Sequence, residues 1–493
     1  ALPRGWRRRR ARHPAMQLPL APGWVGLLLA LVYALAIASA IEAILRARTA
    51  QGAVAWVVSL LTLPYLTLPL YLLLGRNRFA GYVRERRQIE AAAQARLSEM
   101  RSELSDFSSE ETDKDFYRSL HRLARLPTVR GNAVQLLIDG HATFASIEAG
   151  LRGAGRYILF QFYILRDDGL GRRLGAVLAE RARAGVHVYL LYDGVGASGF
   201  ARTGLYRALR DSGVHIAAFN STRGWRSRLQ LNFRNHRKVV VVDGHYAWTG
   251  GHNVGDEYLG VNPRRGPWRD THLRLHGPAV IGAELTFAAD WLWATREQLD
   301  IDWRLARPTP GNCSVLLFPS DPASAFEEAG LMYHQVIIQA RQRIWITSPY
   351  FVPDRGIIAA LQLAALRGVD VRVMIPDRPD GPLVGMANWS FTRELLPAGV
   401  AVYRYEPAFM HQKVFLLDHE LAGVGTANFD NRSFRLNFEI TALVRDDDFC
   451  SEVEGMLEAD FARCRAVTER ELAAKPPWFP LAMGAARLLA PVL

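Results

Sequence analysis

His236 and Lys238 stand two residues apart with Asp243 beyond them, and the same arrangement returns at His411, Lys413 and Asp418. Both segments fit H-x-K-x4-D. Each is followed by a glycine-to-asparagine element, Gly250-Gly251-His252-Asn253 in the first and Gly425-Thr426-Ala427-Asn428 in the second. Of the 60 lysines and arginines only Lys114, Lys238, Lys413 and Lys475 are lysine, so two of the four lie in these motifs. An ammonium on a flexible stem is required there, and a planar guanidinium is no equivalent. Such a set suits phosphodiester chemistry without a metal. One imidazole attacks phosphorus; the other protonates the departing alkoxide and later takes a proton from the incoming alcohol. The two lysines, with Asn253 and Asn428, neutralise and hydrogen-bond the phosphoryl oxygens as charge develops on them. The sequence has no H-E-x-x-H and no clustered carboxylates, so no metal and no other cofactor is expected.

These side chains need elements to aim them. Each motif runs into an apolar stretch, Val239 to Val242 or Val414 to Leu417, which predicts a strand. Residues two apart on a strand share a face, so imidazole and ammonium point the same way. Asp243 and Asp418 then fall at turn-prone strand ends. Upstream of each motif, apolar runs alternate with helical stretches, the α/β signature. YILFQFYI (157–164) and VHVYLLYD (186–193) precede the first, and IWITSPYFV (344–352) and VDVRVMIPD (369–377) precede the second. A repeat of about 175 residues predicts a duplicated α/β domain, since solenoid periods are far shorter. A Pro/Gly break at 307–311 separates the halves. The expected organisation is a basic segment (1–22), a two-helix membrane region (23–78), a juxtamembrane helix and linker (79–131), repeats at 132–306 and 307–480, and an apolar tail (481–493).

At 493 residues, 49% hydrophobic and net charge +12, the chain can build several cores and calls for an anionic partner, nucleic acid or acidic lipid. Three scattered cysteines exclude a disulfide framework. The N-terminal region decides for lipid. Gly23 to Ile41 carries no charge, a length that just crosses a bilayer, and a second uncharged run extends from Gly52 to Gly75, kinked by Pro64 and Pro69. Ala38-Ser39-Ala40 resembles a signal-peptide cleavage site, but the second run so soon after favours a retained span. Arg76, Arg78, Arg84, Arg86 and Arg87 follow the second run, against Arg46 and Arg48 between the two. The positive-inside rule therefore places everything after residue 75 in the cytoplasm. Met16 is a candidate natural start, and either start leaves this topology unchanged.

The motifs are similar to the HKD motifs of the phospholipase D superfamily, and the similarity covers about 350 residues, from 132 to 480. In detail the chain resembles bacterial cardiolipin synthases with two N-terminal spans. NFRNHRKVVVVDG (232–244), GGHNVGDEYLG (250–260), PWRDTHLRLHGPAV (267–280), SPYFVPD (348–354), GTANFDNRSFRLNFE (425–439) and the span WVVSLLTLPYLTLPLYLLLGR (56–76) carry this resemblance. It implies two phospholipase D-like domains sharing one interfacial site at the cytoplasmic face of a bacterial inner membrane. It also implies a reaction that joins two phosphatidylglycerols into cardiolipin and releases glycerol. His236 would be the nucleophile and His411 the general acid and base. Asp243 and Asp418 would hold their loops rather than touch substrate. The carboxylate orienting each imidazole would come from the opposite half: Glu439 for His236, and Asp256 or Glu257 for His411. Gly425-Thr426 stands where many members have Gly-Ser.

Phosphatidylglycerol and other anionic phospholipids are the expected partners, with no nucleic acid; the sequence assigns no oligomeric state. A hydrolase, a transferase using another alcohol such as serine, and a membrane-tethered nuclease share the same site residues. The two spans beside arginine clusters favour lipid over nucleic acid. Arginine-rich loops at 225–228 and 263–269 are candidate headgroup guides, Tyr163 and Tyr350 are candidate cleft residues, and His252 and His419 match no catalytic role.

Overall fold

The computed structural model describes residues 22–46, 50–75, 95, 98–99, 104–107, 114–219, 233–261 and 266–489. The basic N-terminal segment, nearly all of the juxtamembrane helix expected over 79–105, Arg48 and the arginines from 76 to 87, and the loops at 225–228 and 263–265 lie outside these residues. The chain forms two compact units, residues 1–77 and 78–493.

In the first unit a 25-residue helix, α1 (Pro22–Arg46), rises about 37 Å and carries an apolar stretch, Trp24–Leu45, of mean hydropathy 2.3. That is long enough for a hydrocarbon core of about 30 Å. The second uncharged run is not one helix: the kink expected at Pro64 is a break, so only α1 is a single helix of spanning length among the described residues. It is α2 (Ala50–Thr62), then α3 (Pro64–Leu70), then a π-helical turn (Tyr71–Gly75). Leu63 leaves helical geometry at φ −130°, ψ 55°, because Pro64 behind it disfavours the α region. Tyr33 of α1 meets Tyr65 of the broken run edge-on, so the run folds back along α1, and within the run Trp56 meets Tyr71 at 5.2 Å.

The strands of the second unit are, in the first half, β1 (Val129–Ile138), β2 (Tyr157–Phe162), β3 (His187–Asp193), β4 (His215–Phe219), β5 (Arg234–Asn235), β6 (Val239–Val242), β7 (Tyr246–Gly250), β8 (Trp268–Arg269) and β9 (Thr271–His276). In the second half they are β10 (Cys313–Ser320), β11 (Arg343–Thr347), β12 (Phe351–Val352), β13 (Asp370–Pro376), β14 (Ala401–Tyr405), β15 (Phe409–Met410), β16 (Val414–Leu417), β17 (Leu421–Gly425), β18 (Phe429–Asp430), β19 (Asn437–Arg445) and β20 (Cys464–Ala466). The first half orders its sheet β4-β3-β2-β6-β7-β9-β1, and the second repeats it as β14-β13-β11-β16-β17-β19-β10, with β20 on the outer edge. The duplication expected from the repeat is present. The halves are not separate bodies, however: β1 pairs antiparallel with β10, Val129 opposite Val315, and makes one continuous sheet.

Both faces of the sheet are buried, which explains strand sequences that are apolar without interruption. Val240 and Val242 join one core with Ile158, Phe160 and Trp248; Val239 and Val241 face a second core continuous with the other half. Helix α4 (Val280–Thr295) in the first half matches α6 (Asp447–Phe461) in the second. Between them in sequence α5 (Pro382–Leu395) follows β13, and after them α7 (Phe479–Leu488) is the last described helix.

Candidate active site

His236, Arg237 and Lys238 form an extended link between β5 and β6, and His411, Gln412 and Lys413 form the same link between β15 and β16. Each link is docked onto the opposite half. β5 pairs in parallel with the start of β19, and His236 N donates to Phe438 O at 2.9 Å. β15 pairs in parallel with β8, and His411 N donates to Arg269 O at 2.8 Å. The middle residue of each motif turns away and locks the link to its helix. Arg237 donates to Asp290 of α4 at 2.6 Å, and Gln412 donates to Asp460 of α6 at 2.7 Å.

This exchange of strand ends delivers a carboxylate across the interface to each imidazole. His236 Nδ1 lies 3.0 Å from both oxygens of Glu439 and 3.1 Å from Thr426 O. All three are acceptors, so Nδ1 carries the proton and Nε2 the lone pair. Glu439 also accepts from Thr426 Oγ1 at 2.6 Å, Ser433 Oγ at 2.8 Å and Asn437 Nδ2 at 3.0 Å. Burial acts to raise its carboxyl, but His236, Lys238 and these bonds prevail and hold it below the usual range. His236 is pulled down to about 4 by burial, against the opposing Glu439 charge, and is therefore a neutral base near pH 7.

At His411 the structure corrects the expected partner. Asp256 accepts from Gly169 N and Leu170 N and so caps the helix Gly169–Arg183, while Glu257 pairs with Arg166 at 2.9 Å. Asp270 stands at the imidazole instead, its Oδ2 2.7 Å from His411 Nδ1. It was missed because Trp268-Arg269-Asp270 does not resemble Asn437-Phe438-Glu439 in letters. Its place is nevertheless the same, three residues into the exchanged strand pair. The residue behind each carboxylate follows from arm length. A Cβ on Gly251 would collide with the short Asp270 carboxylate, whereas the longer Glu439 leaves room for Thr426, whose hydroxyl binds it.

Lys238 and Lys413 are almost completely buried and point the same way as their histidines. Lys238 Nζ donates to His236 O at 2.6 Å, and Lys413 Nζ donates to His411 O. Lys413 Nζ also lies 3.0 Å from His411 Nδ1. His411 Nδ1–H donates to the Asp270 carboxylate, so the ammonium bonds the carbonyl. Burial pulls Lys238 down to about 7 and Lys413 to about 8; carboxylates of both halves, Glu439 and Asp270, oppose it, so the two motifs share one electrostatic site.

The asparagines are not equivalent. Asn253 accepts from Ile164 N and donates to Tyr258 Oη, both at 3.1 Å, whereas Asn428 is buried with no hydrogen-bond partner on Oδ1. Asp243 and Asp418 lie beyond β6 and β16, four strand residues from the lysines. At φ 53° and 48°, each gathers three successive backbone N–H groups, of residues 155–157 and 341–343. Tyr163 borders the site, its ring 5.0 Å from His236 and 5.6 Å beneath Lys238 Nζ; Tyr350 Oη donates to Asp380 at 2.7 Å. Among the described residues, no three or more His, Cys, Asp or Glu side chains converge as a metal-ligand set.

The family described as "Cardiolipin synthase, PLD-like domain" matches residues 147–263 and 333–461, and "Phospholipase_D-nuclease N-terminal" matches 34–76. Cardiolipin synthase A of Pseudomonas fluorescens Pf-5 is 46% identical over 476 residues, 96% of this chain and 99% of that protein. The Pseudomonas entomophila L48 protein of the same name is 46% identical over 478 residues, covering 96% and 99%. Among solved structures, phosphatidylserine synthase of Haemophilus influenzae Rd KW20 shares the fold with a TM-score of 0.59 at 16% identity, over 77% of this chain and all of that one. The chain belongs to the cardiolipin synthases, phosphatidyltransferases of the phospholipase D superfamily.

Proposed function

We propose that the protein moves a phosphatidyl group from one phosphatidylglycerol to a second, giving cardiolipin and glycerol. His236 Nε2 attacks phosphorus, the P–O bond to the headgroup glycerol breaks, and His411 protonates the departing oxygen. The 3-hydroxyl of the second lipid then loses its proton to His411 and attacks phosphorus, and the P–N bond to His236 breaks. Glu439 and Asp270 fix the tautomers and stabilise each imidazolium. Lys238, Lys413 and Asn428 face the phosphoryl oxygens; Asn253 contributes its remaining amide hydrogen while holding its loop. Asp243 and Asp418 hold the strand ends. The observation that carries this reading is the reciprocal placement of two imidazole–carboxylate pairs, each built from both halves. Arg234 and Arg432 add positive charge near Tyr163, where burial first and Arg234 second lower the Arg432 guanidinium.

Apolar α1 crosses the membrane and the broken run behind it crosses back, and the arginines from 76 to 87 that follow keep the second unit in the cytoplasm of a bacterium. The test is mass analysis of products from purified protein in phosphatidylglycerol vesicles. Cardiolipin and glycerol in equal amounts are expected. Phosphatidic acid as the main product would make the enzyme a hydrolase, and no turnover would remove the assignment.

A further inference from the structure

The last described helix, α7, presents an apolar surface to solvent that the fold does not explain. It buries Phe479, Met483 and Ala486, with Phe479 set edge-on to Trp389 of α5 at 6.0 Å. The opposite stripe is Leu481, Gly484, Ala485 and Leu488, spaced i, i+3, i+4, i+7, where a surface helix carries its polar residues. Leu481 is 78% exposed and Leu488 82%, and Trp478, just ahead of the helix, is 58% exposed. The one charge in α7, Arg487, is turned onto Glu394 of α5 at 3.0 Å and leaves the stripe uncharged.

We propose that this stripe is a second bilayer contact, through which the catalytic unit dips into the lipid surface that holds its substrates. A bilayer fits better than other occupants for three reasons. The same chain carries α1, long and apolar enough to cross a membrane. An exposed tryptophan ahead of two exposed leucines on one helix face has the composition of a segment seated at the membrane–water interface. The stripe also rides on the helix that borders the site: α5 holds Phe351 N through Asn388 at 3.1 Å, and the loop before α5 places Asp380 against Tyr350. The burial of Leu481 and Leu488 in lipid would thus hold α5, and with it Asp380, whose charge acts on Lys413, near the headgroup layer.

This inference rests on the lipid reading of the active site, so its main test needs no turnover. Spin labels are placed singly in the full-length protein by Leu481→Cys, Leu488→Cys and, as an aqueous control, Arg210→Cys, and the protein is reconstituted in vesicles of phosphatidylethanolamine and phosphatidylglycerol. Oxygen should relax the 481 and 488 labels strongly and a water-soluble nickel chelate weakly, the reverse of position 210. Equal access for the chelate at all three sites would overturn the proposal. Exclusion of both reagents from 481 and 488 would also overturn it, since a second copy or another segment of the chain would then cover the stripe. The double variant Leu481→Asp/Leu488→Asp should lose about tenfold in kcat/KM on vesicles and stay within about twofold on dispersed short-chain phosphatidylglycerol. Equal losses on both substrates, or none on either, would contradict a docking role.

Discussion

Replacement of Asp270 by asparagine keeps the size of the side chain and removes its charge. Asp270 is fully buried and its Oδ2 lies 2.7 Å from His411 Nδ1, a direct contact. When His411 takes a proton, the imidazolium centre stands about 4 Å from the carboxylate, worth about 4 kcal/mol at the effective dielectric of a protein site. Loss of that attraction alone corresponds to about a thousandfold in rate. An asparagine amide can also hold the imidazole in the wrong tautomer, which adds to the loss. The assay compares phosphatidylglycerol with a nitrophenyl phosphodiester whose leaving group needs no proton. Asp270→Asn should lower kcat about a thousandfold on the lipid yet still release nitrophenolate in an initial burst, because only the steps using His411 are affected. Asp256→Asn and Glu257→Gln should remain within a few-fold, since their carboxylates are committed to a helix cap and to Arg166. A few-fold effect from Asp270→Asn, or an equal loss from Glu257→Gln, would refute this assignment.

Thr426→Ala removes a hydroxyl 2.6 Å from Glu439 and should cost about 1–3 kcal/mol in kcat/KM, with Thr426→Ser restoring most of it. Lys238→Arg and Lys413→Arg place a larger, planar head where there is no room and should each lose at least about 100-fold in initial rate. The ammonium forms exist below about 7 for Lys238 and about 8 for Lys413. The pH profile of kcat/KM should therefore fall on its alkaline side between these values, and that of kcat should fall later because a bound phosphate favours the charged lysine. Asp243→Ala removes the acceptor of three backbone N–H groups, one exposed and two part-buried, and should lower the melting temperature more than Asp243→Asn, which tolerates the positive φ.

The repeated motifs told which side chains belong together, because two spaced triplets of chemically committed residues are visible without a fold. The strand alternation and the duplication followed from apolar runs recurring at one interval. Asp270 did not, because the link between His411 and its carboxylate exists only where β8 of one half pairs with β15 of the other, about 140 residues along the chain. The fusion of both halves into one sheet rests on β1 and β10, whose letters do not reveal what lies beside them. The break at Leu63 was partly legible: Pro64 and Pro69 announced a kink, but the loss of one continuous helix depends on where the backbone bonds fail.

In the proposed reaction His236 alone becomes covalently bound to the phosphatidyl group, and His411 serves both proton transfers. The direct measurement is peptide mapping of the full-length His411→Asn protein, quenched at neutral pH after exposure to the nitrophenyl phosphodiester. An acid-labile adduct on the Nε2 of His236, lost entirely in His236→Ala, is expected. An adduct on any other residue, or turnover by His236→Ala with no adduct, would contradict it.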